Sequence, residues 1–227
     1  EKWNMLQLLS KEKEVVGIYI SSHPLDDFKH EMRLTSNCSI SDINMYEDNY
    51  VNKEISICGM MSNIQHRIAK NGNEFGIFTF SDYTDSMDIM VFGGDYLKYR
   101  PYMQENMFLN LKLNISKKEY KDKDGNVTQG KVYKNITNIL LLNEIVEKQA
   151  EKMTVKIEVT ELSEEVLNKL SDIMYKHQGD KSLRIQLIDS AEYLNNLDLP
   201  ASKLKINISR DLLKELDELK EISFKLN

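Results

Sequence analysis

The chain has 227 residues, of which 41% are hydrophobic and 29% charged, and a net charge of −6. That is enough length and apolar content for one large packed domain or two ordinary ones, and the acidic balance argues against a strong freestanding nucleic-acid binder. Cys38 and Cys58 are too few and too far apart for a disulfide framework or a zinc site. They read as two reduced thiols of a cytoplasmic protein. No run of about 18 apolar residues is present to span a membrane, and no signal peptide opens the chain. Charge is unevenly spread: residues 54–146 balance to zero, while the flanks on both sides are acidic. The sequence opens at Glu1 in mid-pattern and reads as an excerpt of something longer.

Residues 1–53 read as a helical lead-in and linker. A first helix takes Ser10 as cap and Val15, Ile18 and Tyr19 as one face. Ser21-Ser22-His23-Pro24 ends it, because the residue before proline avoids the helical region. Pro24 suits the start of a second helix, and Asp26 and Asp27 favour its positive end. Asn37 to Asn52 is polar and Asn-rich, an ordered linker anchored by Ile40, Ile43 and Tyr46.

Residues 54–146 alternate as strands. Ile55 and Ile57 start a long strand in which Gly59 marks a bulge or bend. Asn71-Gly72 supplies the positive-φ pair of a tight hairpin turn. In the next strand Gly76, Phe78 and Phe80 share one face and Phe75, Ile77 and Thr79 the other. In Ser86 to Phe92, Met87, Ile89 and Val91 oppose Asp88, Met90 and Phe92. A short helix from about Asp95 stops before Pro101. Phe108 to Tyr120 and Val127 to Val146 form a last pair of strands around Asp124-Gly125. Five strands with one helix after the third is the layout of an OB-fold, a five-stranded Greek-key barrel.

Residues 147–227 read as an α+β domain of order β-α-β-β-α-β. Ser163 and Ser209 cap its two helices, and Gly179 ends the first. No nucleotide-binding motif of the P-loop or dinucleotide type occurs. No catalytic constellation, metal or cofactor is expected.

The stretch from Glu12 to Leu25, Glu-rich and then Gly17-Ile18-Tyr19-Ile20-Ser21-Ser22-His23-Pro24, resembles the segment leading into the OB domain of the alpha subunit of bacterial DNA polymerase III. Gly59, Lys70-Asn71-Gly72, Phe78-Thr79-Phe80, Asp82, Val91-Phe92 and Tyr99 stand in that family's order. The closing block resembles its C-terminal domain. Ser21-Ser22 departs from the usual glycine-containing pair. The resemblance implies a non-catalytic C-terminal piece of a DNA-directed DNA polymerase. Its barrel would hold single-stranded template DNA, and its tail would meet the tau subunit of the clamp loader and the rest of the polymerase chain.

Binding single strands takes stacking faces beside cations. The outward set Phe75, Ile77, Met90 and Phe92 offers such faces, with Arg67 and Lys70 at the first turn and Lys117, Lys118, Tyr120, Lys121 and Lys123 around the last hairpin. The alternative is a protein-interaction scaffold: the outward apolar residues pack on protein and the lysines are a solvated hairpin. His23 reads as a helix-end structural residue and His66 as an exposed one. For the tail, Leu212, Leu216, Leu219, Phe224 and Leu226 are either a partner surface or the cover of their own sheet.

Overall fold

The computed structural model describes residues 5–16, 19–121, 127–189 and 197–227. It divides into two compact units, Glu1–Leu142 and Asn143–Asn227.

The first unit opens with helices α1 (Met5–Val16), α2 (Lys29–Thr35) and α3 (Ile40–Met45). Strands β1 (Glu54–Ile68), β2 (Glu74–Ser81) and β3 (Ser86–Phe92) follow. Helix α4 (Gly93–Tyr99) then leads to β4 (Phe108–Lys121) and β5 (Val127–Leu141). All five strands pair antiparallel in the order β3-β2-β1-β4-β5.

The length of β1 organises the sheet. Its first half pairs with β4, from Glu54 opposite Asn114 to Met60 opposite Phe108. Its second half pairs with β2, from Met60 opposite Ser81 to Ile68 opposite Glu74. Gly59 sits at the changeover, where an added Cβ would lie 2.5 Å from the Ser81 carbonyl oxygen and 2.8 Å from the Phe80 ring. Close backbone approach, rather than a bulge at residue 59, is what requires glycine there. The irregularity falls later, between Ser62 and Gln65, where Asn63 adopts a φ of 53°.

Inward residues of all five strands share one core: Ile57, Phe78, Ile89, Leu111 and Ile139 are each at most 4% exposed. The edge strands β3 and β5 meet, with no hydrogen-bonded ladder between them among the described residues. The sheet is therefore the curled, partly open barrel of an OB-fold. Helix α4 buries Tyr96 and Tyr99 in that core, and the Tyr99 hydroxyl donates to the Thr137 carbonyl at 2.8 Å. A 3₁₀ turn, Arg100–Tyr102, takes Pro101 at its start.

The lead-in is part of the barrel. Where a linker was expected, Ser39 and Asp42 form a capping box for α3, and Ile40 and Ile43 are fully buried in the strand core. Helix α1 runs through Ser10 instead of starting at it, with Leu9 buried and Val15 exposed; Ile18 lies outside the described residues. The segment after Pro24 begins as a 3₁₀ turn, Asp26–Phe28, and Phe28 stacks on Phe108 at 4.8 Å. Both cysteines are free, and burial pushes their thiols up, Cys38 to about 11.

The strand expected to reach Val146 ends at Leu141. Leu142–Gln149 is instead helix α5, and the units divide between Leu142 and Asn143. The second unit continues with β6 (Lys152–Glu158), α6 (Glu164–Lys176), β7 (Gln178–Ile188), β8 (Leu197–Ile206), α7 (Arg210–Asp217) and β9 (Ile222–Leu226). The sheet order is β8-β7-β6-β9, with β6 and β7 parallel and the other pairs antiparallel. Ser163 and Ser209 accept from the backbone N–H groups of Val166 and Leu212, capping α6 and α7. Gly179 lies inside β7 rather than at a helix end; its missing Cβ leaves room for the Asn207 backbone. Among the described residues no helix is long and apolar enough to cross a membrane.

Candidate nucleic-acid interface

Opposite the core, β1, β2 and β3 present an outer face built in rows. Directly opposed residues of antiparallel strands share a face, so register alone assembles it. Arg67, Phe75 and Phe92 form one row; Gln65, Ile77 and Met90 form the next; Thr79 and Asp88 belong to a third. The Phe75 and Phe92 rings are stacked, 5.2 Å apart and 20° from parallel. Met90 and Phe92 are 52% and 55% exposed, and Phe75 and Ile77 are half-buried. The Arg67 guanidinium donates to the Gln65 side chain, and Lys70 stands exposed in the turn beyond.

The strip has two ends of different chemistry. At the turn end, Arg67 and Lys70 supply positive charge beside planar rings. At the other, the Thr79 hydroxyl donates to Asp88 at 2.8 Å and Asn63 reaches Thr79 at 3.4 Å. A carboxylate there repels phosphate, so the favourable stretch lies between Lys70 and Ile77. The β2–β3 turn is fixed by Asp82. One carboxylate oxygen accepts from the N–H groups of Thr84 (2.7 Å) and Asp85 (3.0 Å), and the other from that of Ile40 (2.8 Å). The strand carrying Met90 and Phe92 is thereby tied to α3.

The structure thus brings Arg67, Phe75, Ile77, Met90 and Phe92 together, with Lys70 at the adjoining turn. It treats the last hairpin differently. Lys117 is not a free cation: its ammonium is 2.6 Å from Asp48, in the 3₁₀ turn Glu47–Tyr50. Lys134 pairs with Glu47 at 3.2 Å and Lys112 with Glu54 at 3.7 Å. Of these three, Lys117 is the one that the sequence placed in a cationic groove, and the acidic end of the lead-in balances it. Lys118, Tyr120 and Lys121 continue β4 opposite β5, but their side chains, and all of Lys123, lie outside the described residues.

Gln65 and Asn63 were missed. The signal for Gln65 was its two-residue spacing from Arg67; Asn63 could not be placed because its left-handed backbone breaks the alternation. His66 faces away from the strip, with Nδ1 3.0 Å from the Tyr96 hydroxyl. His23 is structural: Nδ1 accepts from the Leu25 N–H at 3.2 Å, and the ring lies between Tyr19 and Tyr83, 4.9 and 4.4 Å away.

In the second unit the proposed partner stripe is corrected. Leu212 and Leu216 are 0% and 1% exposed, so α7 spends them on its own sheet. Leu219, Phe224 and Leu226 are half-buried. Phe224 and Leu226 stand opposite Val155 and Met153, on the face those buried residues share. Among the described residues no cluster of three or more His, Cys, Asp or Glu could hold a metal ion.

Two families match this architecture. Residues 55–134 match the family described as OB-fold nucleic acid binding domain, and residues 153–227 match the DNA polymerase III alpha subunit, C-terminal domain. Among curated relatives, the DNA polymerase III subunit alpha of Bacillus subtilis is 27% identical over 96% of this chain and 18% of its own length. Its counterpart in Saccharopolyspora erythraea is 30% identical over 52% of this chain and 10% of its own. That of Escherichia coli K12 is 21% identical over 79% and 15%. The chain therefore spans less than a fifth of these relatives. A mitochondrial single-stranded DNA binding protein of S. cerevisiae, Rim1, overlaps 39% of this chain and 91% of its own at 15% identity, with a TM-score of 0.28, too low to bear on function. With residues 55–134 similar to an OB-fold nucleic acid binding domain and residues 153–227 to the C-terminal domain of the DNA polymerase III alpha subunit, the chain resembles the C-terminal region of that bacterial subunit.

Proposed function

We propose that this chain is a non-catalytic part of a replicative DNA polymerase, that its barrel holds single-stranded template DNA, and that its second unit contacts the tau subunit of the clamp loader. The observation carrying the barrel reading is the stacked pair of half-buried Phe75 and exposed Phe92 beside Met90 and Arg67. Aromatic faces of this kind stack on unpaired bases for roughly 1–3 kcal/mol per base, whatever the sequence. Few cations accompany them, since Lys112, Lys117 and Lys134 are already ion-paired. Affinity is therefore low and salt-dependent. The tau contact is supported by the match of residues 153–227, and its surface must lie outside the enclosed Leu212–Leu216 stripe.

Fluorescence anisotropy with labelled oligo-dT at two salt concentrations tests the barrel reading. Binding that weakens at the higher salt, and that falls about tenfold in Phe75→Ala, is expected. Absence of binding at low salt and high protein concentration rejects it and leaves the barrel as a protein-packing scaffold. A pull-down with purified tau tests the second contact, and no retention of tau rejects it.

A further inference from the structure

The sheet of the second unit has one face covered by its own helices and one that is not. Met153, Val155 and Ile157 are completely buried on the first. The residues between them, Lys152, Thr154 and Lys156, point to the second. Register extends that face across the sheet. Arg184 and Lys225 flank Thr154, Ser182 lies between Lys152 and Lys205, and Gln186 and Ser223 flank Lys156. Lys205, Lys225, Ser182 and Ser223 are exposed and Lys152 and Lys156 half-buried, while Thr154 at the centre is 9% exposed.

The clustering of these lysines sets the face apart. On the helices, Lys148, Lys169 and Lys176 are each 2.6 Å from a glutamate, and Lys112, Lys117 and Lys134 of the first unit are paired too. On this face Arg184 is held by Asp198 at 3.0 Å, whereas Lys152, Lys156, Lys205 and Lys225 have no ion-pair partner among the described residues. Four unpaired lysines of an acidic unit thus share one sheet face; Lys181, Lys214 and Lys220, elsewhere in the unit, also have no ion-pair partner among the described residues. At the Lys156 end the face runs into an open cleft of about 460 Å³, where Glu158, Glu161 and Glu221 outnumber Lys156 and Lys220. Those carboxylates bound the cationic area.

We infer that this helix-free face is a second anion-binding surface, taking the phosphodiester backbone of a nucleic-acid strand. Lysines interspersed with hydroxyl and amide donors are the side chains that contact phosphates without reading bases. Among the described residues the face offers no aromatic ring, and its apolar side chains are Ile188 and Pro200. A protein interface needs buried aromatic or aliphatic anchors, so the composition favours a polyanion over a polypeptide. Binding here is electrostatic, sequence-independent and steeply salt-dependent. It stands on observations separate from those of the barrel.

The test uses the whole chain with Phe75→Ala and Phe92→Ala, which weaken the barrel face. Fluorescein-labelled oligo-dT is titrated with and without Lys152→Gln, Lys156→Gln and Lys225→Gln. Each phosphate contact contributes about 0.7 to the slope of log affinity against log salt. The expected result is residual binding whose slope falls by about 2 on replacing the three lysines, with amide shifts at Thr154, Lys156 and Ser223 in the parent. Should circular dichroism show the triple variant misfolded, Lys205→Gln with Lys225→Gln on exposed positions reads the same quantity, a fall of about 1.4. An unchanged slope overturns the proposal. So does displacement of the oligonucleotide by polyglutamate of equal charge, which assigns the face to an acidic polypeptide. Failure of the barrel reading leaves the shifts at residues 154–156 and 223 in place, so the two outcomes are distinguishable.

Discussion

At residue 59 the first strand changes partners because a methyl group is missing. Gly59→Ala puts a Cβ 2.5 Å from a backbone oxygen, which cannot move as a flexible side chain would. Overpacking of this kind costs about 1–3 kcal/mol, and urea denaturation should show the midpoint falling with the slope unchanged. Asp26 carries a second prediction. Partial burial pushes its carboxyl up, but the His23 N–H at 2.7 Å, the Tyr83 hydroxyl at 2.9 Å and the Lys29 charge outweigh that and hold it below the usual value. A carboxyl whose folded pKa is depressed stabilises above its unfolded pKa, and that contribution is lost as pH falls through the folded one. Below about pH 4, Asp26→Asn should therefore lose stability less steeply than the parent, measured as Tm against pH; parallel acid limbs would contradict this. At this scale the outer face was readable wherever alternation held. Phe75, Ile77, Met90 and Phe92 fell on one side by counting in twos. Gln65 lay within the same count from Arg67, whereas Asn63 did not, because its own positive φ breaks the alternation.

Among elements, the strands, the α4 position and the first two helices of the lead-in were legible, but helix α3 was not. Helix α3 is six residues long, too short for a helical period to show, and Asp stands where the usual capping box has Glu or Gln. Its Ile40 and Ile43 were recognised as anchors without the element that carries them. Helix α5 was hidden for the opposite reason: Ile139 to Val146 is apolar on both sides of the turn from strand to helix, and short apolar runs do not declare their period. The acidic turn beside β4 was also invisible, because an ion pair 69 residues apart in sequence has no local signature. It makes a prediction about the hairpin. Removing the carboxylate in Asp48→Ala takes one partner away from Lys117, and the salt slope for oligo-dT should steepen by about 0.7 if that lysine then meets a phosphate. An unchanged slope places Lys117 outside the interface.

The molecule as a whole has two sheets that solve the same problem differently. The first curls until its inner residues share a core, leaving an apolar, aromatic outer strip. The second stays open, covers one face with helices and leaves a polar, cationic one. The order β-α-β-β-α-β was legible because its strands alternate and its helices carry serine caps. The parallel pairing of β6 with β7 follows, since a strand-helix-strand crossover returns the chain in the same direction. The function of the α7 stripe was not legible: an amphipathic helix looks the same whether its apolar side meets its own sheet or a partner. The central claim is that the β1–β2–β3 face takes unpaired bases. Chemical-shift mapping of the chain titrated with a short oligo-dT at low salt tests it most directly. The account predicts that the largest changes fall on Gln65, Arg67, Phe75, Ile77, Met90 and Phe92; changes that spare all six while oligo-dT binds elsewhere would contradict it.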